Sequence, residues 1–368
     1  MILFGLCMYS HFSVRLCVPL FIGYLIFIYK DDLFKNVKHL LFGLIAFGII
    51  LLPLLPSFTG RDAFIRAEHI SLITDPGLVS RINEKRFLYS KNENNIPAVG
   101  IIFYNKATEY TTQFVNNYLS HFNPVFLIFT GDGDPIFNTP YTGPLLISFI
   151  PFLIIGLFQI TKYRNLALVT FGWLILSPIP SSLTRLSAST NRAFIMLIPL
   201  VIIIGIGLNF VIKYLCVRKT TFIVLVYFVF LLIEYMIYLN NYYTVLPFIR
   251  EHDERVGSKE VISYVIKNQA TYDVIYIDDN PQAYIQYLFY TKYPAAIFQK
   301  EVELSELDEF GFGKISAFGK FKFSDKVDNE DVRALFVSRK DRKPDGFQII
   351  NKVITNDGNV QYEFFENQ

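Results

Sequence analysis

The sequence predicts a polytopic α-helical membrane protein with a C-terminal extracytoplasmic α/β domain. Six apolar runs are each near the roughly 20 residues with which a helix crosses about 30 Å of hydrocarbon. Hydrophobic residues make up 52% of the chain and charged residues 18%, whereas a soluble chain carries about a quarter charged residues. The six predicted transmembrane helices are Val14–Tyr29, His39–Pro56, Thr142–Thr161, Leu166–Leu183, Ala193–Ile212 and Thr221–Leu239.

These runs divide the chain into four parts. Residues 1–56 hold two transmembrane helices, 57–141 form a long extracytoplasmic loop with interfacial helices, 142–239 hold four transmembrane helices, and 240–368 form a soluble extracytoplasmic α/β domain. Three short loops are basic, and the positive-inside rule makes them cytoplasmic. The long loop and the tail then face the exterior of the cell membrane. The basic residues of the three loops are Lys30, Lys35, Lys38, Lys162, Arg164, Lys213, Arg218 and Lys219.

Four stretches of the long loop carry a structural prediction. Ala63–Ile73 predicts an amphipathic helix at the membrane interface, and Glu84–Asn95 is polar and predicted to be mobile. Thr108–Phe122 has helical spacing, and the following Asn123-Pro124 is expected to end that helix. The short apolar stretch Pro124–Phe129 is expected to lie on the membrane.

The tail alternates helical and strand patterns, which is typical of an α/β domain. Lys259–Asn268 has helical spacing, and Pro281–Tyr290 follows Asp278-Asp279-Asn280, which are good N-cap residues. Asp273–Ile277 is a strand candidate, and β-rich runs follow it. The later strand candidates are Phe318–Phe323, Val332–Ser338, Phe347–Ile354 and Val360–Phe365.

The loop between the fourth and fifth runs is the strongest candidate site. It carries Arg185 and Arg192 among several hydroxyl side chains, just before a helix begins on the predicted outer face. Arginine forks bind phosphate in two-pronged fashion, and a helix N-terminus adds free N–H groups. These arginines are therefore candidates for binding a lipid phosphate. Snorkelling of both side chains to ordinary headgroups is the other interpretation.

Two further groups of polar residues lie near predicted membrane edges. Asp132 and Asp134 flank a glycine just before the third run, a pattern that a tight turn with Asp capping or a substrate-facing role would explain. His11 and Arg15 lie at the outer end of the first run, where polar residues are often functional, and an interfacial helix end is the alternative. His121 lies in the long loop.

The sequence supports neither a metal site nor a cofactor. Cys7, Cys17 and Cys216 lie in or beside apolar runs without a CxxC pattern, and no HExxH spacing accompanies the histidines. No basic run indicates a nucleic acid partner, and the expected partner is membrane lipid. Dependence on a divalent metal stays open.

Several blocks together resemble one enzyme family. They are Asn117–Pro124, Phe129–Gly133, Gly143-Pro144, Pro178–Arg185 and Asn191-Arg192, with Tyr9-Ser10-His11, Arg15 and Pro19 near the start and Asp273–Ile277 and Tyr284–Tyr293 in the tail. In these blocks, most of the chain resembles bacterial GT-C-type glycosyltransferases, which are multispanning enzymes similar to protein O-mannosyltransferases and the lipid A aminoarabinose transferase.

The resemblance implies an activity. A sugar carried on a polyprenyl phosphate would pass to a protein or glycan acceptor, with Arg185 and Arg192 on the phosphate and an external acid as the base. In the family that acid follows the first span, whereas here Asp31 is the first acidic residue and falls on the predicted cytoplasmic side. We therefore expect an N-terminally truncated member whose catalytic residue is unknown, and we do not transfer the role to Asp132 or Asp134.

Two other classes of protein stay open. The absent acid favours a non-catalytic membrane protein with an extracytoplasmic binding domain. A transporter would need ionisable groups within its spans, and Arg15 and Glu234 are the only Asp, Glu, Lys or Arg residues in the six runs, each near an outer end.

Overall fold

The computed structural model describes residues 1–59, 70–75, 77–90, 102–133, 136–218, 221–250, 256–278, 283–307, 313–324, 327, 332–339, 342–355 and 358–367. Contacts divide the chain into two compact units, Met1–Leu246 and Pro247–Gln368. The first unit is helical and the second contains a sheet. The predicted combination of apolar helices and a C-terminal α/β region is therefore confirmed at this level.

The first unit has apolar helices at all six predicted runs. Among the residues that the structure describes, four helical stretches are long and apolar enough to cross a membrane: Val37–Leu54, Arg164–Ser182, Phe194–Tyr214 and Phe222–Ile249. Phe12–Ile28 and Ile147–Ile160 are apolar but shorter. The α-helices of this unit are Ile2–Cys7, Phe12–Ile28, Lys30–Lys35, Val37–Leu51, Pro56–Thr59, Gly77–Ser90, Lys106–Ser120, Ile150–Ile160, Arg164–Leu176, Ile179–Ser182, Leu197–Arg218 and Thr221–Asn240. Short 3₁₀ or π turns cover Leu52–Leu54, Val125–Thr130, Ile147–Phe149, Phe194–Met196 and Asn241–Val245.

The third run starts its helix later than predicted because its first residues pair elsewhere. The backbone N–H groups of Gly143 and Leu145 donate to the carbonyls of Ile128 and Leu127, at 2.9 and 2.8 Å. These bonds hold the start of the run against the Val125–Thr130 turn. The residues Thr142–Leu146 are therefore apolar without being helical.

The loop predictions had mixed outcomes. The Lys106–Ser120 helix is confirmed, and it starts with a capping box in which Asn105 and Thr108 exchange two hydrogen bonds of 3.1 Å. The stretch Glu84–Asn95 was predicted to be polar and mobile, and its first part, Glu84–Ser90, is the end of the Gly77–Ser90 helix. Lys85 of that helix lies 2.6 Å from buried Glu109, a tertiary contact that local polarity does not reveal. Most of Ala63–Ile73 and all of 91–95 lie outside the described residues.

Two helices approach each other through glycines. A Cβ atom on Gly156 would lie 1.9 Å from the carbonyl oxygen of Ile203, and one on Gly207 would lie 1.9 Å from that of Phe152. The helices Ile150–Ile160 and Leu197–Arg218 therefore pack backbone to backbone, as small residues allow between apolar helices.

The acidic residue Glu234, within the last apolar helix, caps another helix. Its two carboxylate oxygens accept hydrogen bonds from the backbone N–H groups of Ile147 (2.5 Å) and Ser148 (3.1 Å). These groups start the Ile147–Ile160 helix, where N–H groups lack partners within the helix and favour negative charge. The carboxylate within an apolar helix therefore has a structural explanation.

We expect Glu234→Ala to lower the free energy of unfolding by about 1–3 kcal/mol, because two N–H groups in an apolar setting lose their acceptor. Glu234→Gln keeps one acceptor oxygen and should lower the free energy of unfolding by less. Thermal melting followed by circular dichroism in detergent would measure both variants. Equal melting of the Ala variant and the wild type would contradict the capping role.

The second unit contains a sheet in the order β2-β3-β4-β1-β5-β7-β6, in which β1 runs parallel to β4 and β5 and the other pairs are antiparallel. Its strands are β1 Val274–Asp278, β2 Glu303–Leu307, β3 Gly313–Phe318, β4 Phe321–Lys322, β5 Ala334–Arg339, β6 Phe347–Ile354 and β7 Val360–Asn367. The described α-helices from the unit boundary onward are Leu246–Ile249, Ser258–Asn268, Ala283–Thr291 and Ala295–Glu301.

Both faces of the central strands are buried. Ile275 and Ile277 pack with the helices, whereas Tyr276 packs on the opposite face with Phe336 and Phe365. The predicted strand Phe318–Phe323 was wrong as a single element, because Gly319 has a φ of +55° and the chain turns there between β3 and β4. Residues Ala295–Glu301 and β2 were not predicted.

Candidate functional site

The candidate site is built around Arg192, in the loop that leads to the Phe194–Tyr214 stretch. The guanidinium is half-buried, and its Nη1 donates to the Thr184 hydroxyl and to the Leu186 carbonyl, each at 3.0 Å. Burial lowers the pKa of Arg192, and the nearby Asp132 raises it. Because an arginine keeps its proton in proteins, this is a partly desolvated cation held by neutral groups.

His11 and Arg15, near the start of the chain, belong to the same candidate site as Arg192. His11 caps the Phe12–Ile28 helix by accepting from the Ser13 N–H at 3.2 Å. Burial lowers the pKa of His11, and the positive charges of Arg192 and Arg15 lower it further. Both arginines therefore lie within electrostatic reach of the His11 ring, and we call the three side chains the cation set after the two arginines.

Arg15 is only partly satisfied by the fold. Its Nε donates to the Met8 carbonyl at 3.2 Å, and its guanidinium lies over the rings of Phe12 and Phe58, at 4.3 and 5.4 Å from their centres. Its buried Nη1 has no hydrogen-bond partner among the residues that the structure describes. A buried donor of this kind costs free energy unless something binds it.

An apolar cavity of about 250 Å³ adjoins the cation set. Its wall includes Phe194, whose ring meets His11 edge to face with a centre distance of 6.1 Å. Ser10 and Val14, on either side of His11 in sequence, also line it. The remaining wall is Phe4, Cys7, Cys17, Val18, Phe21, Trp173, Ile195 and Ile198. Positive charge and an apolar space therefore lie side by side.

Asp132 and Thr190 hold the arginine loop through two reciprocal hydrogen bonds, which we call the clasp. The Asp132 N–H donates to the Thr190 hydroxyl, and the Thr190 N–H donates to Asp132 Oδ2, each at 3.1 Å. The Asp132 carboxylate also acts electrostatically on Arg192 and on His121. Asp132 is thus the acidic neighbour of the predicted basic site.

The clasp predicts a contrast between two Asp132 variants. Asp132→Ala removes the acceptor of the Thr190 N–H. We expect the free energy of local opening of the loop to fall by about 1–2 kcal/mol, so that the loop opens more often. Asp132→Asn keeps an acceptor oxygen and should preserve the loop. The rate of tryptic cleavage after Arg192 would report the opening. Slow cleavage of the Ala variant would show that the clasp does not hold the loop.

Arg185 has a different environment from Arg192. Its Nε donates to the Ser71 carbonyl at 3.1 Å and its Nη2 to the Thr74 carbonyl at 2.6 Å. Ser71 also forms an antiparallel bridge with Thr184. Arg185 therefore ties the segment 70–75 to the loop, and its role toward a phosphate stays a prediction.

Electrostatic interactions connect five of the seven predicted site residues: His11 with Arg15 and Arg192, and Asp132 with Arg192 and His121. Asp134 lies outside the described residues. Asn117, to which the sequence assigned no role of its own, supports the loop, because its buried side-chain amide donates to the carbonyls of Ser182 (3.2 Å) and Thr184 (3.0 Å). A polar residue on a helix gives no sign of such a distant partner.

Within the described residues, no group of three or more His, Cys, Asp and Glu side chains is placed to hold a metal ion. Comparisons with protein-family models, with curated proteins and with solved structures find no match for this chain.

Proposed function

We propose that this chain is a membrane glycosyltransferase of the GT-C type, or part of one, that uses a sugar carried on a polyprenyl phosphate at the outer face of the cell membrane. The observation that supports this most is the cation set beside the apolar cavity. A prenyl phosphate has the matching two parts, an anionic head and an apolar chain. A ligand with only an anionic head, or only an apolar chain, would not need both the cation set and the apolar cavity.

The chemistry assigns a role to each part of the site. The phosphate would accept hydrogen bonds from Arg192 and from the unpaired Nη1 of Arg15, and the first isoprene units would enter the cavity lined by Phe194 and Trp173. When the sugar leaves for its acceptor, negative charge grows on the phosphate. Cations placed there stabilise that charge and hence the transition state.

The base that would activate a protein or glycan acceptor is not assigned. Asp132 is used in the clasp, and Glu109 is paired with Lys85 at 2.6 Å. Glu234 caps a helix. Because these carboxylates serve the fold, the second candidate is a non-catalytic membrane protein that binds lipid-linked sugar and carries an extracytoplasmic binding domain.

A binding and transfer experiment separates the candidates. The purified protein in nanodiscs would be titrated with a fluorescent short-chain prenyl glycosyl phosphodiester, with the matching prenol and with the glycosyl phosphate lacking a prenyl chain. We expect tight binding of the phosphodiester and weak binding of the other two. Equal binding of the prenol would contradict the phosphate site. Binding without transfer to added acceptors would favour the non-catalytic candidate.

A further inference from the structure

The second unit has an open groove between the Ser258–Asn268 helix and β6, the strand that ends the sheet. Its volume is about 490 Å³, within the range of roughly 300–1,000 Å³ in which proteins bind small molecules. The helix residues of its wall recur at spacings of three and four, so they lie on one face, whereas Val261 and Val265 are buried in the core. The groove is lined by Glu260, Ser263, Tyr264, Lys267, Asn351, Lys352, Val353, Ile354 and Phe364.

An aromatic side chain is held in place in this groove. Tyr264 is half-buried, and its ring packs on the ring of Phe364 with a centre distance of 4.3 Å. Because Phe364 is fully buried in the core, it limits the movement of the Tyr264 ring. The negative π face of an aromatic ring attracts the polarised C–H groups that cover one face of a sugar ring. Tyr264 is therefore a suitable contact for a sugar.

Polar side chains of the groove supply donors and acceptors that the fold does not use. Within the described residues, the side chains of Glu260, Lys267 and Asn351 form no hydrogen bond or ion pair. A carboxylate accepts, an ammonium group donates, and an amide does both. Sugar hydroxyl groups also donate and accept, so they can use all three side chains.

The charges of the lining favour a neutral ligand. Lys352 Nζ lies 2.8 Å from Oε1 of Glu363, whose side chain is buried, and this pair balances its own charge. Lys267 and Glu260 carry opposite charges. An anionic or a cationic ligand would therefore meet no excess of opposite charge, which is what charge complementarity requires.

The irregular pairing of β6 disfavours the addition of a peptide strand to its edge. The register with β7 shifts between Ile349 and Asn351 and again between Val353 and Ile354. The regularly paired stretch at the groove is therefore only Asn351–Val353. Bulges and lysines on an edge strand are devices by which proteins block strand addition, and Lys352 is such a lysine.

We propose that this groove binds a neutral oligosaccharide, with one sugar ring against Tyr264 and hydroxyl groups on Glu260, Lys267 and Asn351. The site lies within the second unit and goes beyond the proposed function, because it needs neither a phosphate nor a prenyl chain. It gives the α/β unit a ligand in either candidate function.

The test uses the full chain in nanodiscs and saturation-transfer NMR with the neutral sugars chitotetraose, cellotetraose and maltotetraose. Ser263→Trp fills the groove from an exposed position of its helix. Lys300→Trp places the same side chain at an exposed position of another helix and is the matched control. Tyr264→Leu removes the aromatic ring and keeps an apolar side chain on Phe364. A short peptide of alternating Thr and Val tests strand addition.

We expect at least one tetrasaccharide to bind the wild type and Lys300→Trp equally. Its binding should be lost in Ser263→Trp and should weaken roughly tenfold in Tyr264→Leu, because stacking on the ring is lost. If Tyr264→Leu does not fold, the comparison of the two Trp variants decides.

The glycan site is wrong if no tetrasaccharide binds the wild type, or if Ser263→Trp binds as well as the wild type does. Peptide binding that Ser263→Trp abolishes, without tetrasaccharide binding, would assign the groove to strand addition instead. Binding of the prenyl glycosyl phosphodiester is measured in the same variants and should not change. Failure of the groove therefore leaves the proposed function standing, and failure of the phosphodiester to bind leaves the glycan site standing.

Discussion

Replacing Arg192 with Ala should weaken binding of a prenyl glycosyl phosphodiester by about a hundredfold or more. Arg192 is the half-buried cation of the cation set, and its Nη1 contacts are to neutral acceptors, Thr184 and Leu186. Removing it takes away a charge-assisted donor in a partly desolvated place. Arg192→Lys keeps the charge but loses the fork, and we expect a loss of about tenfold.

Two matched controls accompany this measurement. Arg164→Ala removes an arginine from the other end of the Arg164–Ser182 stretch and should leave binding unchanged. Arg185→Ala tests the second predicted ligand, and we expect a smaller loss than for Arg192, because Arg185 is directed to the carbonyls of Ser71 and Thr74. Wild-type affinity in Arg192→Ala would remove the phosphate site from the proposed function.

Replacing Gly207 with Ala should destabilise the first unit by about 3 kcal/mol or more. The new Cβ would lie 1.9 Å from the Phe152 carbonyl oxygen, which belongs to the backbone of the neighbouring helix and cannot rotate away. The helices Ile150–Ile160 and Leu197–Arg218 would have to separate. The midpoint of thermal unfolding should fall by about 10 °C.

Gly205 is the matched control on the same helix. A Cβ there meets nothing within 4 Å, so Gly205→Ala removes a helix-weakening glycine without a clash. We expect its stability to match the wild type or to gain up to about 1 kcal/mol. If both variants melt alike, the helices do not pack through Gly207. Gly156→Ala should behave as Gly207→Ala does, because its Cβ meets the Ile203 carbonyl oxygen at the same 1.9 Å.

Local sequence patterns predicted several helices and strands. The six apolar runs all contain helices, and the Phe347–Ile354 strand has the predicted bounds. The Lys106–Ser120 helix ends before Asn123-Pro124, as the restriction on residues before proline requires. Hydrophobic patterns of period 3.6 or 2 and the steric restriction before proline act over a few residues. They can therefore be recognised in a single sequence.

Local patterns did not predict the elements that are stabilised by partners far away in the sequence. Glu84–Ser90 reads as a polar loop, yet it is helical where Lys85 meets Glu109. The third apolar run begins its helix late because Gly143 and Leu145 bond to another segment. Such contacts depend on which segments become neighbours, and local propensity is overridden there.

Local patterns along the chain predicted the apolar helices, most strands of the α/β unit and the residue types of the candidate site. Which of those residues become neighbours depends on the packing of the helices. This packing places His11 within electrostatic reach of Arg192, directs Arg185 to the Ser71 carbonyl, and places the Glu234 carboxylate at a helix start. The physical reason is that a buried charge is tolerated only beside a partner, and the partner of a charge is set by packing between helices far apart in the chain.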